Sequence, residues 1–301
     1  MTPRPSFSAR RVLRALLVLA VPASVLGLWA FWLEPSSLRV REHELALPHW
    51  PSEHDGLRVA VLADLHVGSA WYGVRQLREV VRATNEAKPD LILIAGDLVS
   101  HGSGPEGGVA ELPEAFAPIL SELRARMGVW AVLGNHDGWF DAERVRDAMT
   151  KAGIDVLEDR AVRLEVPPHR KGPPIWLVGI SDLWTGEHDL EGALAQVPSR
   201  DGDAAPVILA LTHNPDLFVG IPPRVALTLA GHTHGGQVRI PLLGSPVVPS
   251  AYGQRYALGH IVEEGRHLFV TSGLGTSILP VRFLVPPEVS ILRLRKGPHP
   301  D

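Results

Sequence analysis

The sequence predicts an α/β fold, and three observations carry the prediction: short apolar runs of strand length, stretches of helical period between several of them, and no internal repeat or low-complexity linker. The runs are LRVAVLA (57–63), LILIAG (91–96), VWAVLG (129–134), IWLVGI (175–180), VILALT (207–212), VALTLA (225–230) and LFVTS (268–272). Few charges interrupt them, as expected of buried strands. VRQLREVVRATNEA (74–87), AFAPILSELRAR (115–126) and DAERVRDAMTKAG (141–153) read as helices, the last closed by a lysine and a glycine stop.

A chain of 301 residues, 45% hydrophobic and 21% charged, is ordinary for one large globular domain. With 29 basic against 33 acidic residues it lacks the cationic excess of a nucleic-acid binder, so nucleic acid is not an expected partner. Cysteine is absent, which excludes disulfides, thiolate zinc sites and cysteine nucleophiles. Any metal must be held by oxygen and imidazole.

The amino terminus differs in kind. Residues 15–33, ALLVLAVPASVLGLWAFWL, carry no charge and nearly span a bilayer core at about 1.5 Å per residue. Arg4, Arg10, Arg11 and Arg14 precede the run, Trp29 and Trp32 sit near its far end, and Glu34 and Pro35 close it. This pattern predicts an uncleaved transmembrane helix in a bacterial inner membrane, crossing once, with the catalytic domain on the extracytoplasmic side. A cleaved signal peptide ending near Val21-Pro22-Ala23 is the rival, and the Arg10-Arg11 pair is a weak sign of twin-arginine export. The expected divisions are a tip and membrane segment (1–34), a linker with a first strand (35–56) and one main domain (57–301).

In open α/β sheets ligands bind beyond the carboxyl ends of the strands. The residues there are Asp64 and His66 in ADLHVG, Asp97 in AGDLVSHG, Asn135, His136 and Asp137 in GNHDGW, His213 in THNPD, and His232 and His234 in GHTHGG. Singly, Asp64 reads as a helix cap and His213 as a satisfied core histidine. Five such motifs after five strand ends weigh against coincidence. Carboxylate, amide oxygen and imidazole suit manganese, iron, zinc or magnesium, and His232 and His234, two apart and flanked by glycine, are placed to reach two different ions.

The motifs D-x-H, G-D, G-N-H-D, a lone H and G-H-x-H, in this order over residues 57–237, resemble the calcineurin-like metallophosphoesterase superfamily. The tail SGLGTSILPVRFLVPPEV (272–289), with GHTHGGQ and the apolar amino terminus, is similar to a narrower branch of membrane-associated or exported bacterial phosphoesterases of the YkuE and YaeI type, which includes a UDP-2,3-diacylglucosamine pyrophosphatase. The resemblance implies a four-layer αββα sandwich of two mixed β-sheets with a dimetal site at one edge. It implies that Asp64, His66 and His234 bind one divalent ion, that Asn135, His213 and His232 bind a second, and that Asp97 bridges them, manganese being the first choice and iron, zinc or magnesium open alternatives. A hydroxide between the metals would be the nucleophile, and His136 the acid or transition-state stabiliser.

The chain departs from the serine/threonine protein phosphatases, whose G-D-x-V-D-R-G is here GDLVSHG. Ser100 and His101 stand where that branch has an aspartate orienting the catalytic histidine and an arginine gripping phosphate, so protein phosphatase activity is not expected. Asp137 and Asp64 are candidates to orient His136. Arg282 in LPVRF is a candidate phosphate contact, set against the commoner solvated or ion-paired arginine. Trp71-Tyr72, Trp139-Phe140 and Trp184 follow strand ends and form either an apolar rim or ordinary loop packing. The remaining histidines, His43, His49, His54, His169, His188, His260, His267 and His299, read as surface residues. The expected activity is dinuclear metal-dependent hydrolysis of a phosphodiester or pyrophosphate in a lipid-linked substrate. The alternatives are hydrolysis of soluble nucleotides or cyclic phosphodiesters, and a non-catalytic scaffold.

Overall fold

The computed structural model describes residues 7–100, 112–202 and 204–298; within 7–17 it describes the side chains of Arg11, Val12 and Arg14 alone. Alternation along the apolar runs decides the layers. In β2 (Leu57–Leu62), Leu57, Val59 and Val61 join one apolar cluster while Ala60 and Leu62 join another, as successive side chains of a strand face opposite ways. With β1 (Arg39–Leu47), β3 (Leu91–Ala95), β4 (Val129–Val132), β5 (Asp155–Val156) and β12 (Glu288–Lys296), it forms a six-stranded mixed sheet ordered β1-β12-β2-β3-β4-β5. The second sheet contains β6 (Arg160–Arg163), β7 (Ile175–Gly179), β8 (Val207–Leu211), β9 (Val225–Ala230), β10 (Gly259–Glu263) and β11 (Arg266–Val270), ordered β10-β11-β9-β8-β7-β6.

The inner faces of the two sheets meet in one apolar layer. Leu57, Val59, Leu91 and Leu93 from the first sheet pack with Leu177, Leu209, Leu227 and Phe269 from the second. On the outer face of the first sheet lie α2 (Val74–Glu86), α3 (Pro113–Leu120) and α4 (Asn135–Lys151), which contribute Leu77, Val81, Phe116 and Val145. On the outer face of the second lies α5 (Leu190–Ala195), with Ala193 and Leu194 against Val178 and Ala210. Burying each large aliphatic side chain is worth about 1.5–3 kcal/mol, so three stacked apolar layers hold the sandwich together.

All seven apolar runs are strands, and the sheets are two and mixed with helices outside. β1 is the first strand expected within 35–56; the strands not anticipated are β5, β6, β10 and β12. β5 and β6 are short, β10 is half exposed, and β12 carries charges at alternate positions toward its end, so none shows a continuous apolar run. β12 is inserted antiparallel beside β2 and parallel to β1. The third helix ends at Leu120, and the fourth begins early, at Asn135, bending at Asp141 (φ −177°).

The amino-terminal expectation needs correction. Residues 15–33 fall on α1 (Phe7–Leu28), continued by a π turn, Trp29–Leu33. Among the described residues, no helix is long and apolar enough to cross a membrane. The far end of this helix is fastened to the main domain: the Arg282 N–H donates to Ala30 O at 2.9 Å, and the Trp32 and Trp71 rings lie 5.2 Å apart.

Candidate metal centre

The carboxyl ends of β2, β3, β8 and β9 point the same way, because these strands are parallel within their sheets, and β4 does likewise. Each strand turns sharply at its end. Asp64, His66, Asp97, His232 and His234 all have positive φ, between 42° and 71°, a region an L-residue enters at some cost and which clusters at functional sites. These turns swing short polar side chains inward over the strand tips instead of along the sheet. Gly134 before Asn135 allows the closest approach, since a Cβ there would collide with the Asp97 carboxylate.

The structure brings Asp64, His66, Asp97, Asn135, His136, His213, His232 and His234 together. Three groupings have ligand atoms close enough to share an ion: Asp64 with His66 and His234, Asp97 with His213 and His232, and His66 with Asp97 and His136. Asp97 Oδ2 lies 3.5 Å from His66 Nε2 and 3.3 Å from His213 Nε2, so one oxygen stands between the two sets. His66 Nε2 is 3.1 Å from His234 Nε2, and His213 Nε2 is 3.1 Å from both His232 Nδ1 and Asn135 Oδ1.

The outer contacts settle the tautomers. His213 Nδ1–H donates to Ala95 O at 2.7 Å and His66 Nδ1–H donates to Val99 O at 3.2 Å; a carbonyl can only accept, so each Nε2 is left to face the centre. Burial pulls His66 down to about 4 and His232 to about 3, and holds His234 well below its ordinary value, so these imidazoles are neutral, the form that binds metal. His213 goes the other way. Burial opposes its charge, but the Asp97 carboxylate and its hydrogen bond push it up to about 10. Burial likewise works against Asp97, and His213 and His66 hold it well below the usual carboxylate range, while burial pushes Asp64 up to about 7. Buried acceptors converging on two points favour positive charge at each, and the donor set fits two divalent cations.

The residues around the donors differ from expectation. Asp137 does not orient His136: its carboxylate accepts from the backbone N–H groups of Leu98, Val99 and Gly134, tying the Asp97 loop to the start of α4. Asp64 accepts from the His232 N–H. Ser277 reaches His136, Oγ 3.4 Å from Nε2, on a loop clamped by Gln237, whose amide bonds both the Ser277 N–H and its carbonyl. Neither Ser277 nor Gln237 was expected from sequence, although Gln237 closes GHTHGGQ.

Arg282 is not brought to the cavity. It is fully buried, its guanidinium donates to the carbonyls of Ser272, Gly275 and Val285, and burial pulls it down to about 10. It staples the 272–285 loop beside Asp64. Asp182, past the end of β7, was missed because ISDLW contains no histidine; its carboxylate accepts from the Trp184 and Thr185 N–H groups. That turn places Trp184 edge-on against His232 with centroids 4.5 Å apart. Trp139 lies 5.1 Å from His136 and 6.1 Å from Trp184.

Trp139 and Trp184, each 49% exposed, form one wall of a cavity of about 460 Å³ over the donors, with Val247, Ile278 and Leu279 on the other side. Trp71 instead packs on Trp32 and donates to Pro280 O, and Tyr72 is buried. Several histidines expected at the surface are not there: His54 is buried and bonded to Pro173 O, His267 is buried against His260, and His43 pairs with Glu288. His101 and His299 lie outside the described residues.

The model of the calcineurin-like phosphoesterase family matches residues 57–236. The chain is 31% identical over 269 residues to the uncharacterized metallophosphoesterase YkuE of Bacillus subtilis, covering 89% of each protein. It is 31% identical over 291 residues to the phosphodiesterase YaeI of Escherichia coli, covering 95% of this chain and 99% of that one. To the UDP-2,3-diacylglucosamine pyrophosphatase LpxG of Chlamydia trachomatis it is 26% identical over 328 residues, covering 92% of this chain and 94% of that one. Because the match takes in every strand-end motif that builds the centre, and the relatives align along nearly the whole chain, this protein belongs to the calcineurin-like phosphoesterase family and is a phosphoester hydrolase.

Proposed function

We propose that the chain hydrolyses a phosphodiester or pyrophosphate bond in a lipid-linked substrate, using two divalent cations of which manganese is the first choice. The observation that carries this reading is the contrast within one cavity: buried Asp and His donors at its base and large apolar side chains, Trp139, Trp184, Ile278 and Leu279, above them. A phosphate suits the base and an acyl or polyprenyl chain suits the walls. The name of the relative LpxG, a pyrophosphatase of a diacylated sugar nucleotide, points the same way.

In this reading Asp64, His66 and His234 would hold one cation, Asn135, His213 and His232 would hold the other, and Asp97 would serve both. Bound there, the cations would supply Lewis acidity, making water acidic enough to ionise near neutral pH and neutralising phosphoryl oxygens. His136 acts on the departing group: as the bond from phosphorus to that oxygen breaks, the imidazole gives it a proton. Ser277 keeps the His136 ring in register, and Asp137 keeps the loops bearing Asp97 and Asn135 at fixed separation. The apolar amino-terminal helix keeps the site beside lipid, which raises the effective concentration of a membrane-borne substrate.

The test uses the purified full chain loaded with manganese and presented with mixed micelles of a lipid-linked phosphodiester or pyrophosphate, beside its deacylated, water-soluble counterpart. The expected result is a kcat/KM at least about tenfold higher for the lipid form, the equivalent of burying two or so methylene groups. Equal efficiency on both forms overturns the lipid reading and leaves a general phosphoesterase for soluble nucleotides or cyclic phosphodiesters.

A further inference from the structure

Two loops rise around the mouth of the cavity, and apolar side chains at their tips are exposed. Ile278 is 99% exposed at φ +63°, Leu242 is fully exposed at φ +70°, and Leu284 is half exposed at φ +57°. The left-handed region is strongly disfavoured for a β-branched residue such as Ile278, and uncommon for leucine. Hydrophobic side chains in water gain nothing from such backbone strain; strain that persists at a surface marks a position held for function. Leu243 and Val247 extend the same exposed patch, and exposed Arg239 stands at the base of the RIPLLG tip.

The patch continues into the end of the apolar helix. The 277–284 loop carries Arg282, whose N–H holds Ala30 O, and Pro280, whose carbonyl accepts from Trp71, which in turn packs on Trp32. From there Val18, Leu19, Val21, Val25, Leu26, Leu28 and Phe31 are each about half exposed or more. A protein groove would need one apolar stripe with polar flanks. From residue 18 to 33 the helix carries no charge and exposes apolar side chains at many positions instead of one stripe, which a lipid surface accommodates better than a protein groove does. That decides the occupant in favour of lipid over a second copy of the chain.

We propose that the tips of the 239–247 and 277–284 loops dip into the surface layer of a bilayer beside the apolar helix, so that the cavity opens directly onto lipid headgroups. The inference rests on the lipid-linked reading above and deepens it, since it states how the substrate arrives: the phosphate enters from the membrane face while its chains stay in the bilayer. Arg239 at the tip base is placed to meet anionic headgroups.

Because the chain has no cysteine, single cysteines report position cleanly. Leu242→Cys, Ile278→Cys and, at the opposite end of the sandwich, Lys171→Cys are labelled with an environment-sensitive fluorophore in the full chain. Each is bound to vesicles of phosphatidylethanolamine and phosphatidylglycerol carrying brominated acyl chains. Quenching of about twofold or more at Leu242 and Ile278, with none at Lys171, is the expected result. Water-like, unquenched emission from both tips on vesicle-bound protein overturns the proposal. So does a blue shift at the tips that grows with protein concentration without vesicles, which would place a second copy there. Leu242→Asp with Leu243→Asp should lower turnover of a vesicle-embedded lipid phosphodiester about tenfold while leaving a water-soluble activated phosphodiester within about twofold. If the tips are quenched but no lipid phosphate is cleaved by the unmodified chain, the docking stands and the proposed substrate falls.

Discussion

At the base of the cavity, carboxylates and imidazoles are buried and face one another; at its mouth, isoleucine and leucine are exposed. Both arrangements invert the usual placement, in which polar atoms meet water and large aliphatic groups avoid it. Both also use left-handed backbone at non-glycine residues: Asp64, His66, Asp97, His232 and His234 below, and Leu242, Ile278 and Leu284 above. In the readings proposed above, the converging buried donors meet divalent cations and the strained apolar tips meet lipid.

The comparison breaks first if the base does not depend on metal. Asp97→Asn removes the charge that faces both histidine sets, and we expect it to lower turnover of an activated phosphodiester by more than the ~10–100-fold typical of outer-shell changes. Elemental analysis should show metal lost together with activity, and chelation of the unmodified chain should abolish turnover until divalent metal is restored. Turnover that survives in fully stripped protein would refute the metal dependence.

The next largest effect concerns the piece that joins the two regions. Arg282 belongs to the mouth loop itself, and its buried guanidinium serves three carbonyls of the same segment. Arg282→Met leaves those acceptors buried without donors, at a cost of about 1–3 kcal/mol for each that water cannot reach. The urea midpoint should fall clearly, and activity should fall on soluble and lipid substrates alike, because the loop carries Ser277 to His136. A large loss on one substrate only, with an unchanged midpoint, would return Arg282 to the role of a phosphate contact.

These two residues also show how far the sequence could be read. The base was legible because every donor sits within a few residues of the end of an apolar run, so local pattern alone places it beyond a strand. Asp182 escaped for lack of a histidine beside it. The environment of Arg282 was not legible at all: the carbonyls that bury it come from Ser272, Gly275 and Val285, and only the folded loop assembles them. The mouth was opaque for the same reason. Ile278 and Leu242 look like any apolar residue in a chain, and nothing local says that one will be wholly exposed. In the sheets, β12 was hidden by its charges, since its LRLRK end alternates buried leucines with charged residues on a face that meets solvent.

A smaller effect should come from Ser277→Ala. Its hydroxyl lies 3.4 Å from His136 Nε2. We expect kcat to fall up to about tenfold, the lower end for a group that orients a catalytic side chain, with KM and metal content unchanged. Loss of metal in this variant would place Ser277 in the cation site instead of behind His136. Ser277→Thr, which keeps the hydroxyl, should recover most of the rate.

The smallest expected effect sharpens the division between base and mouth. Trp139 touches both: its ring lies 5.1 Å from His136 on one side and 6.1 Å from Trp184 on the other, and half of it is exposed to the cavity. If the walls hold chains, truncation to alanine removes roughly half of an aromatic side chain's apolar burial, about 1 kcal/mol, from the lipid-linked substrate only. That converts to about fivefold in kcat/KM. Whatever Trp139 contributes by packing on His136 is lost on both substrates, so the informative quantity is their ratio. The preference for the lipid form should shrink about fivefold while the absolute rate on the soluble form falls less. A preference that survives Trp139→Ala intact, with both rates lowered equally, would confine Trp139 to positioning His136 and leave the chain-binding surface to Ile278, Leu279 and Val247.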